Sequence, residues 1–141
     1  MSKVYLAMYK AEGNWVDKVI RLFTGKPYSH CEIAISKGET FECYTSSPRD
    51  GGVRCKTMYL PSDKWDLVPV QNITEEQIKA YFNRTLGAKY DWWGALGVVL
   101  GIKEKRSKYF CSEWCFNAIF GNENGWRFSP NQLAAIFKKG N

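Results

Sequence analysis

The sequence lacks the features that mark a secreted, membrane-spanning or disulfide-stapled protein. Its longest apolar stretch, residues 92–102, has eleven residues with three glycines, too few to cross a bilayer as a helix. No secretory signal is visible at residues 1–8, so we expect a soluble, cytoplasmic protein without a transmembrane segment. Cysteines number only five, and this odd number favours reduced thiols over a disulfide framework.

Histidine is scarcer still, because the chain contains only His30. Any chemistry that needs an imidazole must therefore use this residue. Cys111 and Cys115, four residues apart, could join His30 in a zinc site, but no second ligand pair at suitable spacing exists. We therefore expect neither a metal nor another cofactor, and we expect Cys115 to be a small core residue. The strand positions of Cys31, Cys43 and Cys55 predict the same for them.

The size and charge of the chain indicate its domain organisation and the kinds of partner it could bind. A chain of 141 residues, 45% of them hydrophobic and 24% charged, is typical of one soluble globular domain, which we place at 1–141. The net charge of +6 favours anionic partners such as nucleic acid, acidic lipid headgroups or cell-wall polymers. The basic residues concentrate in 103–108 and 138–139, which we interpret as solvated segments. No nucleic-acid motif is present, so no specific nucleic-acid partner is expected.

The order of secondary structure predicts an α+β fold. Alternating or turn-bounded apolar segments predict strands at 3–9, 29–36, 39–45, 53–59 and near 67–70. Helical spacing and capping patterns predict five helices: 14–23, Thr74 to near Gly87, 92–100, one opening at Cys111 and one opening at Ser129-Pro130. The first half is thus rich in strands and the second half in helices.

Cys111 lies at the predicted start of a helix, where a polar loop leads into the apolar run 114–120. Unpaired backbone N–H groups and the positive end of the helix dipole at such a position favour a thiolate over a thiol. This placement makes Cys111 a candidate nucleophile. Its base would have to be His30, which comes eighty-one residues earlier.

His30 lies in a predicted strand and shares one face with Glu32, two residues on, while Cys31 and Ile33 point to the other face. A carboxylate beside an imidazole holds it in one tautomer, so that the free nitrogen can accept a proton from a thiol. An isolated strand histidine is usually structural. The coincidence of a single histidine, an adjacent acid and a helix-opening cysteine favours a catalytic pair instead.

Three segments carry a resemblance to a known family. They are Ser29-His30-Cys31-Glu32-Ile33-Ala34-Ile35, Phe41-Glu42-Cys43 and Tyr109-Phe110-Cys111-Ser112-Glu113. In this order they resemble the circularly permuted branch of the NlpC/P60 papain-like superfamily, including small phage-encoded members. In that branch the histidine strand precedes the cysteine helix. The resemblance implies a permuted papain-like fold with an antiparallel sheet or barrel packed against helices, and the host cytoplasm as location if the protein is phage-encoded.

The resemblance also implies roles for single residues. Cys111 matches the nucleophile and His30 the general base. Tyr109 matches the tyrosine of the Tyr-Asp-Cys-Ser motif, placed near the oxyanion together with the backbone N–H of Cys111. Phe110 replaces the aspartate of that motif, which belongs to its peptidoglycan-cleaving form.

The third catalytic residue depends on strand parity. The family pattern places a polar residue on the next strand, which matches Glu42. With a two-residue loop at Lys37-Gly38, Glu42 points away from the face of His30, whereas a three-residue loop turns it to that face. Glu32 shares the face of His30 in either register. The resemblance favours Glu42, and Glu32 is its close rival.

The function implied is acyl transfer through a Cys111 thioester, in a cysteine peptidase or amidase-type hydrolase that cleaves or transfers an amide or related acyl bond. Expected substrates are peptides, cell-wall polymers or acyl-lipids. Two alternatives stay open. The Phe110 departure is compatible with a catalytically inactive papain-fold binding module. The 22 aromatic residues and the basic loops are compatible with a lipid-directed acyltransferase.

Overall fold

The computed structural model describes residues 3–11, 28–47, 49–90, 108–109, 111–122, 124, 128 and 130–140. Within these ranges lie seven strands: β1 (Val4–Tyr9), β2 (His30–Lys37), β3 (Thr40–Ser47), β4 (Gly52–Met58), β5 (Trp65–Pro69), β6 (Lys89–Tyr90) and β7 (Lys108–Tyr109). Three helices accompany them: α1 (Glu75–Thr85), α2 (Cys111–Phe120) and α3 (Pro130–Gly140). The predicted helices at 14–23 and 92–100, and Ser129, lie outside the described residues.

The strands form one sheet in the order β5-β1-β2-β3-β4-β6-β7. The first six strands pair antiparallel, and β7 joins β6 in parallel. The α+β prediction is confirmed, and the five predicted strands are found within two residues of their expected bounds. The two-residue strands β6 and β7 were not predicted, because two residues are too few to show an alternating pattern.

The β2–β3 hairpin fixes which side chains share a face with His30. Lys37 pairs with Thr40, so the loop is Gly38-Glu39, two residues long as in the first alternative but shifted by one position. Gly38 has a φ of 73°, which glycine adopts without strain. In this register Ile35 pairs with Glu42, so Glu42 lies on the face opposite that of His30 and Glu32.

The main core lies between the sheet and the helices. Strand residues such as Leu6, Ile33 and Ile35 are fully buried there with Trp114 of α2 and Leu133 of α3. A smaller apolar cluster centres on three buried residues of the other face: Ala7, Ala34 and Cys43. Both faces of β2 are therefore covered, and this explains its almost continuous burial.

Two local contacts position α1 and α2. The Thr74 hydroxyl accepts from the Gln77 backbone N–H at 3.2 Å, and the Gln77 side chain accepts from the Thr74 N–H at 2.8 Å, which is the predicted capping box. At the far end of α1, Thr85 Oγ1 accepts from Trp114 Nε1 at 2.9 Å. Because Trp114 is one turn after Cys111 and wholly buried, this bond anchors the start of α2 to α1.

No helix in the described part of the chain is long and apolar enough to cross a membrane.

Gly52, where β4 meets β6, should tolerate no side chain. A Cβ on Gly52 would lie 2.2 Å from the Ala88 carbonyl oxygen and 2.8 Å from Lys89 Cα, and both are backbone atoms. We expect Gly52→Ala to lower the free energy of unfolding by about 3 kcal/mol, since overpacking of this kind costs roughly 1–3 kcal/mol and the residue's φ of +156° adds strain. The measurement is urea unfolding followed by tryptophan fluorescence.

Gly51 supplies the matched control. Its φ is +83°, but a Cβ there would meet no atom within 4 Å. Gly51→Ala should therefore cost only the backbone strain, about 1 kcal/mol. Equal losses for the two variants would contradict the close approach of β4 and β6.

Candidate active site

His30 is the first residue of β2, and its side chain is 13% exposed. Its Nε2 lies 2.6 Å from Glu32 Oε2, and the Glu32 side chain is 1% exposed. The two side chains meet because residues two apart on a strand point to the same face. A buried carboxylate at this distance keeps a proton on Nε2, which donates it to Glu32 in a hydrogen bond.

Glu32 has a second partner on β4. Arg54 Nη1 donates to Glu32 Oε1 at 2.6 Å, and Arg54 Nη2 donates to Glu32 Oε2 at 2.5 Å. The remaining guanidinium nitrogen, Nε, donates to Asp50 Oδ2 at 2.8 Å. A continuous chain of charge-assisted hydrogen bonds thus runs from Asp50 through Arg54 and Glu32 to His30.

Arg54 and Asp50 are site residues that sequence reasoning missed. The Asp50/Arg54 pair flanks the glycine turn Gly51-Gly52 and resembles an ordinary surface ion pair in the sequence. Its relevance depends on β4 pairing with β3, which places Arg54 two strands from β2, the strand that carries Glu32. No pattern local to residues 50–54 indicates that placement.

Cys111 is the first residue of α2 and is 2% exposed. Helix α2 packs on β2 and β3, and two side chains of β2, Cys31 and His30, lower the pKa of the Cys111 thiol. His30 Nε2 is hydrogen-bonded to Glu32. The other ring nitrogen, Nδ1, is buried without a hydrogen-bond partner among the described residues. Nδ1 is therefore the nitrogen available to the Cys111 thiol.

The surroundings of Cys111 favour its ionised form. A hydrogen bond from the Cys31 thiol is the largest cause that holds the pKa of Cys111 well below its usual value; burial opposes it and the charge of His30 reinforces it. Cys31 itself keeps its proton, because burial and the neighbouring thiols raise the pKa of Cys31 well above the usual value. Cys31 is thus a buried neutral donor to a thiolate.

His30 is stabilised in its protonated form. Burial opposes the charge, but the attraction of the Cys111 thiolate and of Glu32 outweighs burial and raises the pKa of His30 to about 10. Burial likewise opposes ionisation of Glu32, and His30 and Arg54 outweigh it, so the pKa of Glu32 is lowered. The three shifts together favour a thiolate, an imidazolium and a carboxylate at this site.

The rival acid, Glu42, has other partners. Glu42 Oε1 accepts a hydrogen bond from the Tyr44 hydroxyl and lies 3.8 Å from Lys79 Nζ. The structure brings Glu32, and not Glu42, to His30. The oxyanion candidate Tyr109 has its backbone in β7, but its side chain and Phe110 lie outside the described residues.

The other cysteines divide into core and surface. Cys31, Cys43 and Cys115 are fully buried, which confirms the expectation of core residues. Cys55 is exposed, so its prediction as a core residue was wrong. The reason is that β4 is buried only at its first two residues, and from Cys55 to Thr57 it is exposed to solvent.

A groove of about 140 Å³ opens beside His30 and Glu32, and Cys111 does not line it. His30, Glu32 and Arg54 form part of its wall. Tyr9 and Trp65 line the groove as an aromatic pair with ring centroids 5.0 Å apart.

The groove also carries positive charge. Arg49 and Lys56 line it with cationic groups, and Arg49 Cζ lies 5.7 Å from the Tyr9 ring centroid. Aromatic and cationic side chains together suit a ligand that has both an apolar and an anionic part.

No protein-family model matches this chain, and no curated protein sequence matches it. The function is therefore inferred from the residues of the site and their geometry.

Proposed function

We propose that the protein is a cysteine hydrolase or acyltransferase in which Cys111 is the nucleophile, His30 the general base and acid, and Glu32 the residue that orients His30. The observation that carries the proposal is the position of His30. One ring nitrogen is 2.6 Å from a buried carboxylate, and the other is the nitrogen available to a helix-opening cysteine whose pKa is lowered. A nucleophile beside a base that a third group orients is the arrangement that acyl transfer requires.

In the first half-reaction the Cys111 thiolate attacks the carbonyl carbon of the substrate, and a C–S bond forms. The carbonyl π electrons move to oxygen, where the N–H groups at the start of α2 are suitable donors. When the tetrahedral intermediate collapses, the bond to the leaving group breaks and the His30 imidazolium gives that group its proton. The products are a Cys111 thioester and the released amine, alcohol or thiol.

In the second half-reaction His30, now neutral, takes a proton from water or another acceptor as it attacks the thioester. Collapse of the second intermediate breaks the C–S bond and restores the thiolate beside the imidazolium. Peptide, cell-wall and acyl-lipid substrates all present carbonyls suited to these steps. The groove, with its aromatic and cationic wall, is the candidate site for the rest of the substrate.

We also propose that the fold is the permuted papain-like fold of the NlpC/P60 superfamily, on the strength of the resemblance. The α+β architecture, the antiparallel pairing of β5-β1-β2-β3-β4-β6 and the order of histidine strand before cysteine helix support it. Glu32 takes the orienting role that the resemblance assigns to Glu42. All five cysteines are free thiols, which fits the reducing interior of a cell.

Selective alkylation tests the nucleophile. The exposed Cys55 is first replaced by Ala, and the Cys55→Ala protein is treated with iodoacetamide at about pH 6, where an ordinary thiol of pKa about 8.5 is almost wholly protonated. We expect one adduct, located at Cys111 by mass spectrometry. Adding Cys111→Ala should reduce labelling to background while the circular dichroism spectrum persists.

Cys43→Ala in the same background is the control. Cys43 is buried in the smaller cluster, and burial raises the pKa of its thiol, so its removal should leave labelling unchanged. If Cys111 reacts no faster than an ordinary thiol, the protein is a binding module rather than an enzyme. The same conclusion follows if the adduct forms elsewhere.

A further inference from the structure

Arg54 is fully engaged around Glu32. Two of its nitrogens donate to the two oxygens of Glu32, and the third donates to Asp50. The Arg54 side chain is only 16% exposed, whereas that of Asp50 is 37% exposed. Nη1 also approaches the Cys43 carbonyl oxygen at 3.3 Å, which ties the guanidinium to β3. Because the guanidinium is planar and its hydrogen bonds to Glu32 and Asp50 fix it at three nitrogens, it can adopt only one orientation.

That orientation fixes the carboxylate of Glu32. Parallel N–H···O bonds from a guanidinium hold a carboxylate in the plane of the fork, which a lysine ammonium cannot do. Glu32 Oε2 accepts from Arg54 Nη2 and also lies 2.6 Å from His30 Nε2. The plane of the carboxylate therefore determines where the imidazole ring lies and which of its nitrogens faces Glu32.

Arg54 also stabilises the charge of Glu32. A carboxylate that is 1% exposed loses nearly all its hydration, and this cost must be offset by partners. Without Arg54, His30 would be the only described ionic partner left to Glu32. Glu32 would then take up a proton more readily, and the imidazolium that stabilises the Cys111 thiolate would lose its counter-charge.

We propose that Arg54 is a positioning residue of this site, anchored by Asp50, which holds the Glu32 carboxylate ionised and in the plane that accepts the His30 Nε2–H, so that Nδ1 stays available to Cys111. The effect on catalysis rests on the proposed function. The effect on the His30 proton does not, because it follows from the hydrogen bonds alone.

Three substitutions separate the parts of this arrangement. Arg54→Met removes both charge and fork, Arg54→Lys keeps the charge but loses the fork, and Asp50→Asn weakens only the anchor. Arg84→Met is the matched control, since Arg84 is exposed on α1 and its guanidinium lies over the ring of Tyr81. Should Arg54→Met fail to fold, Arg54→Lys and Asp50→Asn still test the proposal.

The first readout is nuclear magnetic resonance of the imidazole, which is unambiguous because the chain has one histidine. In protein carrying ¹⁵N-histidine we expect a sharp, strongly downfield Nε2–H signal. In Arg54→Lys and Arg54→Met this signal should be lost to exchange with water, in Asp50→Asn it should broaden, and in Arg84→Met it should persist. An unchanged signal in Arg54→Lys would overturn the role of the fork.

The second readout is the rate of Cys111 alkylation by iodoacetamide against pH, in the Cys55→Ala background. The alkylation rate falls as pH is lowered through the pKa of Cys111, and we expect this fall to begin at higher pH in Arg54→Lys and at still higher pH in Arg54→Met. At about pH 6 the Lys variant should react roughly threefold more slowly, as for a rise of about one unit in the pKa of Cys111. If Arg54 had only a structural role, its replacement would lower the stability of the protein without changing the pH dependence of the alkylation rate. If Cys111 proves unreactive in the parent but the imidazole signal still depends on Arg54, the proposed function fails and the positioning role stands.

Discussion

Replacing His30 with Gln should slow the alkylation of Cys111 at about pH 6 by roughly tenfold. Glutamine cannot carry the positive charge that helps to hold the pKa of Cys111 below its usual value. If the pKa returns to about 8.5, only about 0.3% of the thiol is ionised at that pH, against a thiolate that is largely formed in the parent protein. The higher intrinsic reactivity of a more basic thiolate recovers about tenfold or more of this loss, which leaves a net factor near 10.

The sign of the pH dependence supplies the control for this prediction. As pH rises through the new pKa, the His30→Gln protein should regain its thiolate, so its rate should reach and then exceed that of the parent protein above about pH 9. A structural collapse would instead lower the rate at every pH or raise it by exposing all buried thiols. A variant that keeps the parent plateau down to about pH 6 would show that His30 does not sustain the thiolate and would contradict its role as base.

The placement of Cys111 at a helix start and of His30 beside Glu32 could be predicted from the sequence, because each depends on local structure. A polar loop followed by an apolar run predicts a helix that begins at Cys111, and α2 begins there. The two-residue period of a strand predicts that His30 and Glu32 share a face, and their side chains lie 2.6 Å apart. Both features are properties of a few neighbouring residues.

The choice between Glu32 and Glu42 could not be made from the sequence, because it depends on a single residue of loop length. A loop of two residues and a loop of three turn Glu42 to opposite faces, and Lys37-Gly38-Glu39 is compatible with either. The structure has the two-residue loop Gly38-Glu39. Such a difference reflects how β3 packs on its neighbours rather than any preference of the loop itself.

Arg54 could not be assigned for a different reason. It lies two strands from Glu32 in the sheet and twenty-two residues from it in the chain. A buried ion pair between such positions depends on the pairing of three strands at once. The alternation of β4 also predicted a buried Cys55, and it failed there because this part of the strand has no covering layer. Burial patterns beyond a single element require the tertiary fold.

Replacing Glu32 with Gln should lower the free energy of unfolding at pH 7 by about 3–5 kcal/mol, because it leaves the guanidinium of Arg54 buried beside a neutral group. Glu42→Gln is the matched control. The Glu42 side chain is 27% exposed and lies 3.8 Å from the exposed Lys79, so its loss should cost less than about 1 kcal/mol. Urea unfolding measures both free-energy losses, provided that the dependence of the unfolding free energy on urea concentration is the same in each variant.

The double variant Glu32→Gln/Arg54→Met and the pH dependence identify the cause of this loss. Removing both charges should recover about 2 kcal/mol or more relative to the sum of the single losses, since the unpaired charge disappears.

The pH dependence is a second test. The pKa of Glu32 is lowered in the folded state, so the contribution of Glu32 to the free energy of unfolding is fully present above the unfolded pKa of about 4.3 and is lost as pH falls through the folded pKa. The gap between the parent and Glu32→Gln should therefore narrow in acid. A gap that is constant with pH, or a Glu42→Gln loss as large as that of Glu32→Gln, would mean that Glu32 is not the ionised partner of His30 and Arg54.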